Sequence, residues 1–196
     1  MEYLIHLAIL AGIYAILALS LNLVVGYTGI LSVTHAAFFG LGAYATAILG
    51  TQFGVNFFVG MFAGIIVSAI FAFLIGSVLN KFRGDFVALG SVGFNMIVWS
   101  VFLNWQELTR GPLGIPGISR PELFGFSFAD NFSFLLLAIV FAVFVYVFSR
   151  FITSSSFGRV LKAIREDEEA LQVFGYRALH YKLAVFVIGA SMAAVA

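Results

Sequence analysis

Runs of about 20 apolar residues constrain this chain more than any other feature. A helix rising about 1.5 Å per residue crosses the hydrocarbon layer of a bilayer with a run of that length. Tyr3 to Val25 is one such run, Thr28 to Gly50 a second, Val55 to Leu79 a third, Phe86 to Trp105 a fourth and Phe132 to Ser149 a fifth. A sixth begins at Leu183 and reaches Ala196 after about 14 apolar residues, short of a full span. Of 196 residues, 62% are hydrophobic and 10% charged, whereas ordinary soluble domains carry roughly 25% charged residues. So few charges do not cover a water-facing surface of this size, so lipid is the solvent for most of the chain. The expected fold is all-α, a polytopic membrane helix bundle of about five full spans plus a short sixth, forming one transmembrane domain over residues 1–196. The open end of the sixth run reads as the N-terminal part of a longer protein. The opening "MEYLIHLAIL" carries an acid where a signal peptide has a basic region, which reads as a first span that is retained.

Several function classes are excluded early. A net charge of +1 leaves no nucleic-acid footprint. Cysteine is absent, which removes disulfides, a thiolate nucleophile and thiolate metal sites. His6, His35 and His180 are too scattered to share a metal. No nucleophile–base pair can be assembled, so the chain reads as a non-enzyme with no directly bound cofactor.

Orientation follows the loop charges. Segment 81–85 carries Lys81 and Arg83, and segment 150–182 carries Arg150, Arg159, Lys162, Arg165, Arg177 and Lys182. That side holds 8 of the 10 basic residues and reads as cytoplasmic; Arg110 and Arg120 fall on the other. Five crossings put the N-terminus outside. A re-entrant 28–50 segment would instead put it inside. "GYTG" at Gly26–Gly29 reads as the turn between the first two spans.

Polar groups near membrane depth face the protein interior or a water-filled cavity. Asn22, His35, Tyr44 and Asn95, with Ser91, are such groups. They are candidates for a translocation path, or for hydrogen bonds between helices. Ala36, Gly40, Ala43 and Ala47 form a smooth stripe expected to admit another helix or to line a pathway, with Phe38, Phe39, Leu41 and Ile48 on the opposite faces. Gly60 and Gly64 read as a second close-approach pair. No intramembrane carboxylate pair is present, which weakens a proton- or ion-coupled carrier. Loop 106–131 holds all three prolines and reads as a rigid, turn-rich connector or as a docking surface for an extracytoplasmic partner. Its Pro112 and Pro116 remove donors that a phosphate cradle needs.

Ser154 to Arg177, "SSSFGRVLKAIREDEEALQVFGYR", carries 8 of the 19 charged residues. Ser155 or Ser156 caps a helix start, and Gly175 is a C-terminal stop. Val160, Ile164, Leu171 and Phe174 make an apolar face; Arg159, Lys162, Glu166 and Glu169 lie on the other. Bases precede acids, against the helix macrodipole at both ends. A break near Arg165–Asp167 removes the conflict, so two short helices with a bend are expected within a cytoplasmic loop, 153–181. Four consecutive acids suit a protein partner better than an anionic membrane surface. An apolar ridge flanked by both charge signs fits a groove.

"EEALQVFG" resembles the E-A-A-x-x-x-G signature of bacterial ABC-importer permeases, with Leu171 in place of the second Ala and no following I-x-L-P. Leu21–Leu49 resembles the N-terminal signature of branched-chain amino acid permeases of the LivM/LivH type. Gly158–Tyr176 is similar to their cytoplasmic loop, and Thr109–Ile118 to the LivM outer loop, with Arg110 where a small residue is common. The resemblance implies a type II importer-like permease that forms the translocation pathway for branched-chain amino acids. It implies a second homologous permease subunit, two cytoplasmic ATP-binding subunits that use ATP and Mg, and an extracytoplasmic solute-binding protein. The setting it implies is the inner membrane of a bacterium or archaeon. Arg159, Lys162, Arg165, Glu166, Asp167, Glu169, Ala170 and Gly175 become the expected ATPase-coupling residues. A permease for urea, amides or another small polar solute, an ATP-independent channel or carrier, and a membrane anchor or assembly subunit without a pathway stand as alternatives.

Overall fold

The structure is a computed structural model that describes residues 2–82, 85–118, 120–123, 126–128 and 130–196. Arg83, used above for orientation, lies outside the described residues. The chain is an all-α bundle, and six of the described helices are long and apolar enough to cross a membrane. In chain order these are α1 (Glu2–Leu21), α2 (His35–Phe53), α3 (Phe57–Leu79), α4 (Asp85–Asn104), α6 (Asn131–Ser154) and α9 (Ala178–Val195). Between them lie α5 (Gln106–Thr109), α7 (Ser156–Glu166) and α8 (Glu168–Val173), and a small antiparallel hairpin of β1 (Glu122–Leu123) and β2 (Phe126–Ser127).

The sixth span is longer than its apolar run. It starts at Ala178 rather than Leu183 because Lys182 is neutralised by an ion pair with Glu168 and so fits inside the helix. The α9 helix is the centre of the bundle. Val185 and Met192 join Ile16, Leu23, Val145 and Ile152 in one buried cluster, and Phe186, Ala190 and Ala193 join Val24, Phe38, Ala72 and Leu79 in another.

Close approach in the bundle depends on glycine. A Cβ on Gly64 would lie 2.9 Å from the Gly42 carbonyl, and one on Gly42 would lie 2.8 Å from the Ala194 Cα. Gly60 rests on Thr46, so the Gly60/Gly64 pair packs as expected. The expected stripe on α2 is met in part, since Gly40 lies against Phe102 of α4 and Ala47 is buried. Ala36 and Ala43 are exposed, whereas the buried face carries His35, Phe38 and Gly42. Phe38, on the opposite face, is wholly buried against two bulky neighbours, Phe94 and Phe186.

The helix ends sort into two layers. Gly12 of α1 meets Ala138 of α6, and Ile16 and Leu23 share a cluster with Val145 and Ile152, so α1 and α6 run parallel. Glu2 therefore lies at the end opposite α7 and α8. That opposite end holds the 106–131 connector, which is held by specific bonds. Asn56 caps α3 by accepting from the Phe58 N–H (3.0 Å) and donates to the Glu122 carbonyl (2.8 Å). The Thr109 hydroxyl lies 2.7 Å from the carbonyls of both Phe102 and Trp105. Arg110 adopts φ 59°, a left-handed conformation costly for a residue with a Cβ. Arg110→Gly is therefore expected to raise stability by about 0.5–1 kcal/mol, net of the added chain entropy. A thermal midpoint at or below that of the parent protein refutes this account of the turn.

Candidate functional site

The end of the bundle that holds Lys81 and the α7–α8 pair carries most of the basic residues, the pattern that the charge rule associates with a cytoplasmic side. Three features meet there: a broken connection between α1 and α2, the bent α7–α8 pair, and the contacts that tie the two together.

The α1–α2 connection differs from a simple turn. Over Asn22–Gly26 the helix widens into a π turn, a feature frequent at functional sites. Gly26 leaves room for the Asn22 side chain, which lies over it. Tyr27 and Thr28 stay helical, so of the "GYTG" turn only Gly29 turns the chain, at φ 71°. The α2 helix then begins well inside the bundle. Ser68 donates to the Phe38 carbonyl (3.1 Å), Gly64 abuts Gly42 and Gly60 abuts Thr46, so α2 and α3 run antiparallel in register. That register puts His35 level with the eighth residue before the inner end of α3, about 12 Å deep. With 19 residues, α2 still reaches the outer end, where Tyr44 stacks on Phe102 at 4.3 Å between ring centroids.

Residues 29–34 are therefore irregular backbone within the membrane domain. Such backbone persists at that depth only when buried in protein or lining a cavity. Here hydroxyls replace the missing helical bonds. Thr28 Oγ1 donates to the Val24 carbonyl (2.6 Å) and accepts from the Ile30 N–H (3.3 Å). The Val33 N–H donates to Ser91 Oγ on α4 (3.0 Å), and the hydroxyls of Ser32 and Thr34 pair at 2.8 Å. Thr28 to Leu31 also line a cavity of about 520 Å³ shared with Asn80, Ile164, Glu168 and Lys182. Thr28, Ser32 and Thr34 do not stand out in the sequence. Their signal, three hydroxyls within seven residues, looks like ordinary helix content until the fold places Ser91 opposite.

The bend in the charged segment falls where charge order placed it. The α7 helix ends at Glu166 and α8 starts at Glu168, with Asp167 extended between them (φ −155°, ψ 101°). Arg165 occupies the last turn of α7, and Glu168 and Glu169 the first turn of α8, so both macrodipoles are complemented. Ser155 caps α7 by accepting from the Gly158 N–H, and Asp167 caps α8 by accepting from the Ala170 N–H (2.9 Å). At the far end Gly175, at φ 84°, donates to the Gln172 carbonyl, and Tyr176 donates to Leu171, a Schellman stop.

The apolar face of the pair is divided. Ile164 is buried, and Val160 and Leu171 pack beside it against residues of α1, α6 and α9. This corrects the expected continuous ridge, because most of it docks on the chain's own membrane domain. Val173 and Phe174 point outward instead, 87% and 80% exposed.

All eight expected coupling residues lie on this exposed pair, but they differ in what they touch. Arg159 donates to Ser156 (2.8 Å). Lys162 places its Nζ 5.5 Å from the centroid of the Tyr27 ring, a cation–π contact. Arg165 Nη1 donates to the Gly26 carbonyl at 2.6 Å. Glu166, Glu169 and Ala170 are exposed, while Asp167 and Gly175 shape the ends of α8.

The four path candidates are not brought to one surface. Asn22 is exposed on the π turn. Asn95 is half-buried on α4, one turn beyond Ser91. Tyr44 borders a small outer cavity with Ala43, Ala47, Ile115 and Ile118. His35 is buried between α1, α2 and α9, near Gly189, with its ring beside the Ser20 backbone of α1.

Comparison with known proteins agrees with this architecture. Residues 3–196 match the family model described as branched-chain amino acid transport system / permease component. The chain is 33% identical to the high-affinity branched-chain amino acid transport system permease protein LivM of Salmonella typhimurium, over 96% of this chain and 50% of the relative. It is 32% identical to the Escherichia coli K12 protein of the same name, with the same coverage. It is 26% identical to a probable LivM of Methanocaldococcus jannaschii, over 94% of this chain and 63% of the relative. The chain thus spans about half the length of the first two relatives. No solved structure matches it. Relatives in bacteria and an archaeon, together with six membrane-length helices, make it a multi-pass protein of the cytoplasmic membrane. The chain belongs to the permease-component family of branched-chain amino acid transport systems.

Proposed function

We propose that this chain forms part of the permease subunit of an ATP-driven importer of branched-chain amino acids, and that α7 and α8 dock a cytoplasmic ATP-binding subunit. The observation that carries the proposal is Val173 and Phe174, exposed at the tip of a doubly capped helix pair at the inner end. Two large apolar side chains flanked by Glu169 and Arg177 fit a partner's groove. ATP and Mg are handled by that partner, since no G-x-x-x-x-G-K-[ST] loop occurs in the sequence. A second permease subunit completes the translocation path, to which Asn22, His35, Tyr44 and Asn95 remain separate candidate contributors. A solute-binding protein docks at the outer connector, where Leu113 is almost wholly exposed.

Reversal of Glu166 and Glu169 to Lys leaves Asp167 to cap α8 and Glu168 on Lys182. It is expected to weaken retention of the ATP-binding subunit about tenfold or more, as loss of interfacial charge pairing does. Copurification with a tagged full-length permease measures this. A full complement of ATPase on the double variant rejects the docking assignment. Leucine uptake that persists after ATP depletion favours a channel or carrier instead.

A further inference from the structure

We infer that Arg165 is a positioning residue that ties α7 to the broken α1–α2 connection, so that movement of α7 is delivered to the irregular segment 29–34 rather than to whole spans. This rests on the docking reading above.

Arg165 and Lys162 sit one turn apart on α7, and both face the end of α1. The last four carbonyls of a helix have no intrahelical donor. At the end of α1 the Val25 carbonyl is taken by the Gly29 N–H (2.9 Å), and the Gly26 carbonyl by the Arg165 guanidinium (2.6 Å). A cation at that point also meets the negative end of the helix dipole. The Arg165 stem covers Gly29, with its Cγ 3.3 Å from where a Gly29 Cβ would be, and the left-handed φ of 71° favours glycine there. Lys162 covers Tyr27 between them. Two adjacent basic side chains thus hold Gly26, Tyr27 and Gly29, across 139 residues of sequence in the case of Arg165 and Gly26.

What they hold is built to move. Residues 29–34 have hydroxyl partners in place of a helical ladder and border a cavity of about 520 Å³. Beyond them lies His35, buried at the start of α2 beside the Ser20 backbone. The opposite wall of the cavity is fixed by a second tie, Glu168 on Lys182, which joins α8 to α9. A displacement of α7 relative to α9 therefore falls on the segment between them, the weakest backbone in the contact.

The test uses the full-length transporter with its ATP-binding subunits and binding protein in proteoliposomes, with labelled leucine as the probe. Arg165→Ala is expected to keep the ATP-binding subunits bound and hydrolysing ATP while leucine delivered per ATP falls about tenfold, the loss typical of one charge-assisted hydrogen bond. Arg165→Lys keeps a cationic donor and is expected to recover most of that ratio. An unchanged ratio in Arg165→Ala overturns the inference. So does release of the ATPase, which makes Arg165 a docking residue. If the unsubstituted complex retains no ATPase, the docking reading itself has failed, and a second measurement decides the tie alone. Ser32→Cys, in a chain stretch without cysteine, is labelled from the cytoplasmic side with a membrane-impermeant maleimide. Adding Arg165→Ala is expected to speed labelling of this buried position about tenfold; equal rates overturn the tie.

Discussion

Gly42→Leu is expected to prevent recovery of folded permease from membranes. Gly42 stands where three helices meet. A Cβ there would lie 2.8 Å from the Ala194 Cα and 2.9 Å from its carbonyl, while Gly64 presses on the Gly42 backbone from α3. The obstructing atoms are mostly backbone, so no rotamer change relieves the overlap and the helices themselves must separate. Separation removes the van der Waals packing that holds membrane helices together, for which no hydrophobic force between helices substitutes. Overpacking of this kind costs about 3 kcal/mol, a large fraction of the stability of a domain. Gly93→Leu, on α4, supplies the contrast, since nothing lies within 4 Å of its Cβ position. Monodisperse yield in detergent is the readout. Similar yields for both substitutions would show that α2, α3 and α9 do not meet as described.

The paired substitution Val173→Asp and Phe174→Asp is expected to strip the ATP-binding subunit from the complex and leave the permease folded. Both side chains are exposed, so their loss opens no cavity in the chain's own core. Their helix is held from both ends by Asp167 and the Gly175 stop. Burying two such side chains in a groove makes them the centre of the contact, where truncation costs about 2–4 kcal/mol, or about 30- to 900-fold in affinity. Retained ATPase with lost uptake would instead assign Val173 and Phe174 to a later step than docking.

The spans and the bent charged segment were legible because each rests on a one-dimensional signal. Apolar run length locates helices in lipid, and the order Arg165, Glu166, Asp167, Glu168 opposes one macrodipole but fits two. The face of α2 was not legible. In lipid the outward face is as apolar as the inward one, so periodicity does not say that Gly42, as well as Gly40, meets a neighbouring helix. Residues 29–34 were hidden for a related reason. Ile30, Leu31 and Val33 carry the hydropathy of a span, and the partner that satisfies Val33 is Ser91, 58 residues away. On α7 and α8 the apolar spacing was right but its partner was not, because Ile164 and Leu171 face the chain's own core. The sequence places Arg165 among the coupling residues, and its bond to Gly26 becomes visible only in the fold.

In the proposed function the α8 tip is gripped by a nucleotide-hydrolysing partner on the cytoplasmic side. A photo-crosslinking residue in place of Phe174, in the full-length protein in its native membrane, tests it most directly. The expected result is an adduct with the ATP-binding subunit that Glu166→Lys with Glu169→Lys diminishes. An adduct with lipid alone, or modification of position 174 by a reagent confined to the outer side, would contradict it.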